Sequence, residues 1–98
     1  MTETYYSEES FDVVATFFDE NKDPVTPESL TYHIQNRSTN ATIRSDTVTP
    51  STTSYTIPVT ITDNTVNDDE TRKVVVKWTY NGGNKGDVKV YKYNLVVP

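Results

Sequence analysis

From Arg72 to Tyr80 the chain reads RKVVVKWTY, and its side chains fall into two rows. Val74, Val76, Trp78 and Tyr80 make one row; Lys73, Val75, Lys77 and Thr79 make the other. A period of two marks an extended strand with one face buried, whereas a helical period of 3.6 would scatter the four large apolar groups around the axis. The alternation returns at Phe11, Val13, Ala15 and Phe17, at Leu30, Tyr32 and Ile34, and at Tyr55, Ile57, Val59 and Ile61. The residues that carry it are β-branched: 17 Thr, 13 Val and 4 Ile, against two Leu and two Ala. Such side chains lose freedom in a helix and pack well on a pleated sheet. The chain is therefore expected to be all-β.

Turn signals separate the strands. DENKDPVTPES, with Pro24 and Pro27, follows the first strand, Phe11–Phe18. The second strand is Leu30–Gln35, and NRSTN is a hairpin-type turn into a short third strand, Ala41–Ser45, with Ile43 inward. The Thr/Ser-rich stretch after it leaves room for a short edge strand at Thr47–Thr49. Pro58 interrupts Ser54–Ile61 on the outward row, which marks that strand as an edge or a break. All three glycines sit in NGGNKG, ahead of a closing strand from Asp87. There Val88 and Val90 keep one phase and Tyr91, Tyr93, Leu95 and Val97 the other, which predicts a β-bulge near Val90–Tyr91. About seven short antiparallel strands without a helix leave a two-sheet, immunoglobulin-like β-sandwich or a small barrel as the regular choices, and the sandwich is expected. Residues 11–98 form that single domain, and residues 1–10, MTETYYSEES, lack periodicity and form an N-terminal arm.

Several functions are disfavoured. Without cysteine the chain offers no disulfide framework, thiolate metal site or Cys nucleophile. Apolar runs stop at four residues, too short to span a membrane as a helix, and no basic-then-apolar leader follows Met1. A net charge of −5 disfavours nucleic acid as the main partner. The charge is uneven: residues 1–28 hold eight acids and Lys22, while residues 72–98 hold six bases and Asp87. Either the first and last strands lie together and complement each other, or the surface is bipolar and meets a copy of itself or a partner.

The acid-rich stretch TDNTVNDDE, Thr62–Glu70, invites comparison with a calcium loop. Counted from Asp63, position 6 is Asp68 instead of glycine and position 12 is Val74 instead of glutamate, so the helix–loop–helix motif fails; a polar turn is expected, with a looser calcium site between loops as the alternative. His33 is the single histidine and faces outward between Tyr32 and Ile34; one His cannot build a multi-His metal site, and G-x-S-x-G is absent. The carboxylate pairs Glu8–Glu9, Asp19–Glu20 and Asp68–Asp69 fall in the arm or in turns, not along a cleft. No catalytic residue, cofactor or metal site is assigned. Tyr5 and Tyr6 stand out because the arm has no core to fill. With Glu8 and Glu9 they form the candidate partner interface, unless the arm folds back on its own domain.

Asp23-Pro24-Val25-Thr26-Pro27 leading into Ser29-Leu30-Thr31-Tyr32, together with Glu70 and Arg72 ahead of the Val74–Val76 run, resembles small immunoglobulin-like or fibronectin type III-like modules of tailed-bacteriophage virion proteins. The resemblance spans about residues 11–97. It departs from antibody domains in lacking the inter-sheet Cys pair and in carrying Trp78 on the penultimate strand. It implies a non-enzymatic virion structural protein, a capsid decoration or cement subunit on the major capsid protein, with copies of itself as further partners. It implies no nucleic acid, membrane or small-molecule substrate, and a location in the virion after assembly in the host cytoplasm. The alternatives are a tail, head–tail or fibre accessory, or a carbohydrate or cell-surface binding module using Tyr55, Tyr91 and Tyr93.

Overall fold

In a computed structural model, which describes residues 3–98, the chain forms seven strands and, among the described residues, no helix. They are β1 (Glu3–Tyr6), β2 (Phe11–Thr16), β3 (Ser29–Asn36), β4 (Thr42–Val48), β5 (Ser54–Val59), β6 (Glu70–Tyr80) and β7 (Lys85–Val96). A five-stranded sheet, in the order β1-β7-β6-β3-β4, packs against the two-stranded sheet β2-β5. This is the expected all-β sandwich. The core is the set of inward rows: Val13, Ala15 and Phe17 from the small-sheet side meet Leu30, Tyr32, Ile34, Val74, Val76 and Trp78 from the large sheet. Phe17 and Trp78 meet edge to face at 5.2 Å, and the Trp78 indole N–H donates to the Phe18 carbonyl at 3.3 Å. That bond leaves the buried indole satisfied.

Four features differ from the expectation. First, Glu3–Tyr6 within the expected arm is a strand, and it runs parallel to β7 with Tyr5 opposite Leu95. An acidic, non-alternating tetrapeptide carries no period-two signal, so pairing alone makes it a strand. Second, the third strand and the short edge strand are one element, β4, and its bulge falls there. Ile34 pairs with Arg44 but Gln35 with Thr42, so Ile43 is the extra residue and is exposed instead of inward. Third, β7 has no bulge: its register to β6 runs unbroken from Glu70↔Leu95 to Tyr80↔Lys85. Val88 and Val90 belong to the outward row throughout, and the apparent phase change is an exposed apolar row giving way to a buried one. Fourth, β5 stops at Val59 and Ile61 is exposed.

The cause of that stop is local. The Thr60 hydroxyl accepts a hydrogen bond from the Asp63 amide, and the Asp63 carboxylate accepts one from the Thr60 amide at 2.8 Å. This reciprocal T-x-x-D box starts a single tight turn and directs the chain out of the sheet. Among the described residues β5 pairs only with β2, Asp12 lying opposite Pro58, so Pro58 does sit on an edge strand. The β6–β7 turn places Asn81, Gly82 and Gly83 in succession at positive φ, which explains the glycines there.

Candidate interaction surface

The acid-rich stretch proves to be a fastening point of the sandwich. Asn64 is fully buried. Its side-chain N–H donates to the Glu9 carbonyl at 2.7 Å, and its side-chain oxygen accepts from the Tyr93 hydroxyl at 3.0 Å. The Asn64 carbonyl accepts the Glu8 amide, and the Ser7 hydroxyl accepts the Val66 amide. Beside it, the Asp63 carboxylate accepts from Arg44 Nε at 3.0 Å, while Arg72, itself buried, donates to the Asp63 carbonyl at 2.9 Å and to Glu70. Arg44 also donates to the Tyr32 hydroxyl, Asp46 and the Pro58 carbonyl, and so ties β4 of the large sheet to β5 of the small one. Burial away from water pushes the Tyr93 hydroxyl up to about 12. The carboxylates of the stretch do not converge: Asp63 holds Arg44, Asp69 accepts the Val97 amide, and among the described residues no group of three or more potential ligands gathers.

The other acid pairs are spent similarly. Glu9 accepts the Tyr6 amide, Asp19 accepts the Asn21 and Asp23 amides within its own loop, and Glu20 pairs with Lys85.

Of the four residues expected at a partner interface, Tyr5 turns into its own domain. Its ring stacks on Phe11 at 3.9 Å, with Tyr93 edge-on to both. Glu8 is held through its amide at a positive φ of 71°. Tyr6 is 59% exposed and points to the outer face of the large sheet, since its β7 partner Val96 is in the outward row. The four therefore do not form one patch. Among the glycan-binding candidates Tyr93 is buried and Tyr55 and Tyr91 are half-buried, and the Lys89 ammonium sits 5.4 Å from the centre of the Tyr91 ring.

Among the open surfaces of the described residues, two bear on binding. One is a shallow groove of about 380 Å³ between β2 and β7, with Tyr5, Phe11 and Tyr91 among its lining residues. β1 pairs with Tyr93–Val96 alone, so along this side Lys85–Lys92 have no strand partner among the described residues. That edge is guarded: Asp87 accepts the Val88 amide with its own carboxylate, and Lys89 places a charge on the inward row. Both devices discourage addition of a strand.

The second surface is the outer face of the large sheet. Val75 lies opposite Val90, Lys77 opposite Val88, and Lys73 directly opposite Lys92. His33 neighbours Val75 from β3, with Thr31 and Gln35 beside it. Following the outward row across β1, β7, β6, β3 and β4 meets three lysines and no carboxylate. None of the three takes part in the ion pairs of the described residues. This row arrangement realises the charge asymmetry of the sequence, because the acids of the first 28 residues go to turns, to the inward edge position Glu3 and to the small sheet.

Sequence reasoning missed Arg44, Asp63 and Asn64 as a unit. The T-x-x-D spacing at Thr60–Asp63 and the inward parity of Arg72 were the available signals. No family model matches this chain, and neither does any curated protein or solved structure.

Proposed function

We propose that this chain is a non-enzymatic structural subunit that works by protein–protein contact, in its most specific form a capsid decoration or cement protein of a tailed bacteriophage seated on the major capsid protein. The carrying observation is the outer sheet face, where Val75, Val88 and Val90 lie among Lys73, Lys77 and Lys92 without a compensating acid. An apolar centre rimmed by charge of one sign suits a specific contact with another protein surface. A stiff sandwich whose N-terminal segment is fastened at Ser7–Glu9 holds that face in a fixed shape, and copies repeated over a lattice gain attachment through multivalency. The link to phage virions rests on the sequence resemblance. The test is to purify virions assembled from the genome that encodes this chain and to locate the protein by mass spectrometry and cryo-electron microscopy. Many copies on the head are expected. Density at the tail or fibres would move the subunit to the accessory role, and absence from intact virions would overturn the proposal.

A further inference from the structure

The outer face contains a local conflict that folding does not require. Lys73 and Lys92 are directly cross-strand on an exposed antiparallel pair, the arrangement in which like charges destabilise. Lys73 eases it by reaching to the Asn40 side-chain oxygen at 2.7 Å, while Lys92 and Lys77 stay exposed and form no ion pair among the described residues. In a chain of net charge −5, an acid-free face of three lysines is not an accident of overall composition. Local rules are broken where a surface is used for something other than stability.

We infer that this face docks an acidic protein surface, whose carboxylates sit between Lys73, Lys77 and Lys92 while an apolar side chain covers Val75, Val88 and Val90. The inference rests on the structural-subunit reading and names the chemistry of its partner. Charge complementarity selects the sign of the partner. The valines select protein over nucleic acid, because a phosphate backbone offers nothing to cover an apolar ridge and takes its affinity from many more cations than three. The outward side chain of Tyr6 extends the same face along β1.

The test uses a capped heptapeptide of alternating glutamate and valine, titrated into the isotope-labelled protein and followed by amide chemical shifts. Shifts are expected at Lys73–Lys77 and Val88–Lys92, weakening as salt rises. The double variant Lys77→Glu, Lys92→Glu should weaken the peptide about tenfold, the loss of two surface ion pairs and their replacement by repulsion. Lys92→Glu alone should weaken binding yet raise Tm by about 2–4 °C, since it turns a repulsive cross-strand pair into an attractive one. A merely structural face would not separate those signs. The inference is overturned by shifts mapping elsewhere or absent at millimolar peptide, by unchanged binding in the double variant, or by a short DNA duplex binding more tightly than the peptide. In virions, normal occupancy by the double variant would sink the inference and leave the virion reading intact; absence of the unaltered protein would sink that reading while the titration still judges the face.

Discussion

Replacing Asn64 with alanine tests whether the buried fastening point holds the sandwich closed. The side chain is fully buried and makes two hydrogen bonds, to the Glu9 carbonyl and from the Tyr93 hydroxyl. After truncation the Tyr93 hydroxyl, on a residue 2% exposed, has lost its acceptor. A buried group left in that state costs about 1–3 kcal/mol, and the lost bond to the more accessible Glu9 carbonyl about 0.5–1.5 kcal/mol. The sum is about 3 kcal/mol, a large part of the roughly 5–15 kcal/mol available to a domain of this size. At about 4–8 °C per kcal/mol, Tm should fall by about 12–24 °C. Urea denaturation followed by Trp78 fluorescence measures the loss directly. The double variant with Tyr93→Phe should be less destabilised than the sum of the singles by about 1 kcal/mol, because phenylalanine leaves no orphaned hydroxyl. A loss below about 0.5 kcal/mol, or strict additivity in that cycle, would refute the assigned network.

The remaining expectations follow from the same contacts. Arg44→Met strips Asp63 of its ion-pair partner and should cost about 2–4 kcal/mol by denaturant titration, and Arg44→Lys should restore little, since an ammonium cannot span the positions that one guanidinium fork reaches. Tyr93 titrates near 10 when unfolded and about 12 when folded. The unfolded state therefore loses its proton first, and stability that is fully present below pH 10 should fall by about 1.4 kcal/mol per pH unit up to pH 12. Burial raises Tyr32 and Tyr91 in the same direction, and Tyr93→Phe should flatten the slope without abolishing it. Adding calcium should leave Tm unchanged, because the Asp63 and Asp69 carboxylates already hold different partners; a saturable rise would show a site that the geometry does not provide.

Legibility in the sequence followed the range of the interaction. Rows such as Val74, Val76, Trp78 and Tyr80 were readable because alternation is a property of each strand alone, and the row is buried as its parity requires. Ile43 and Ile61 had the right parity and still ended exposed, one displaced by a bulge and the other by the Thr60–Asp63 box. Hydrophobicity could not foresee either, since one depends on the register between two strands and the other on hydrogen bonds that compete with the ladder. The opening arm was the converse case. Tyr5 looked spare in a segment without periodicity, yet it packs half-buried against the core beside Phe11, whose ring is brought there by a strand of the other sheet.

The all-β class, most of the buried rows and the polar turns between them are legible in the chain alone, because side-chain alternation and turn chemistry act over a few neighbouring residues. It took the packed fold to pair Glu3–Tyr6 with β7, to let Arg44 clamp two sheets through Asp63 and Pro58, and to set Lys73 against Lys92 across an exposed face. Those outcomes depend on which strands become neighbours, and neighbourhood is set by the packing of the whole core against the entropy of closing long loops. The charge asymmetry was plain in the chain from the start. Its concentration onto one surface is a product of register.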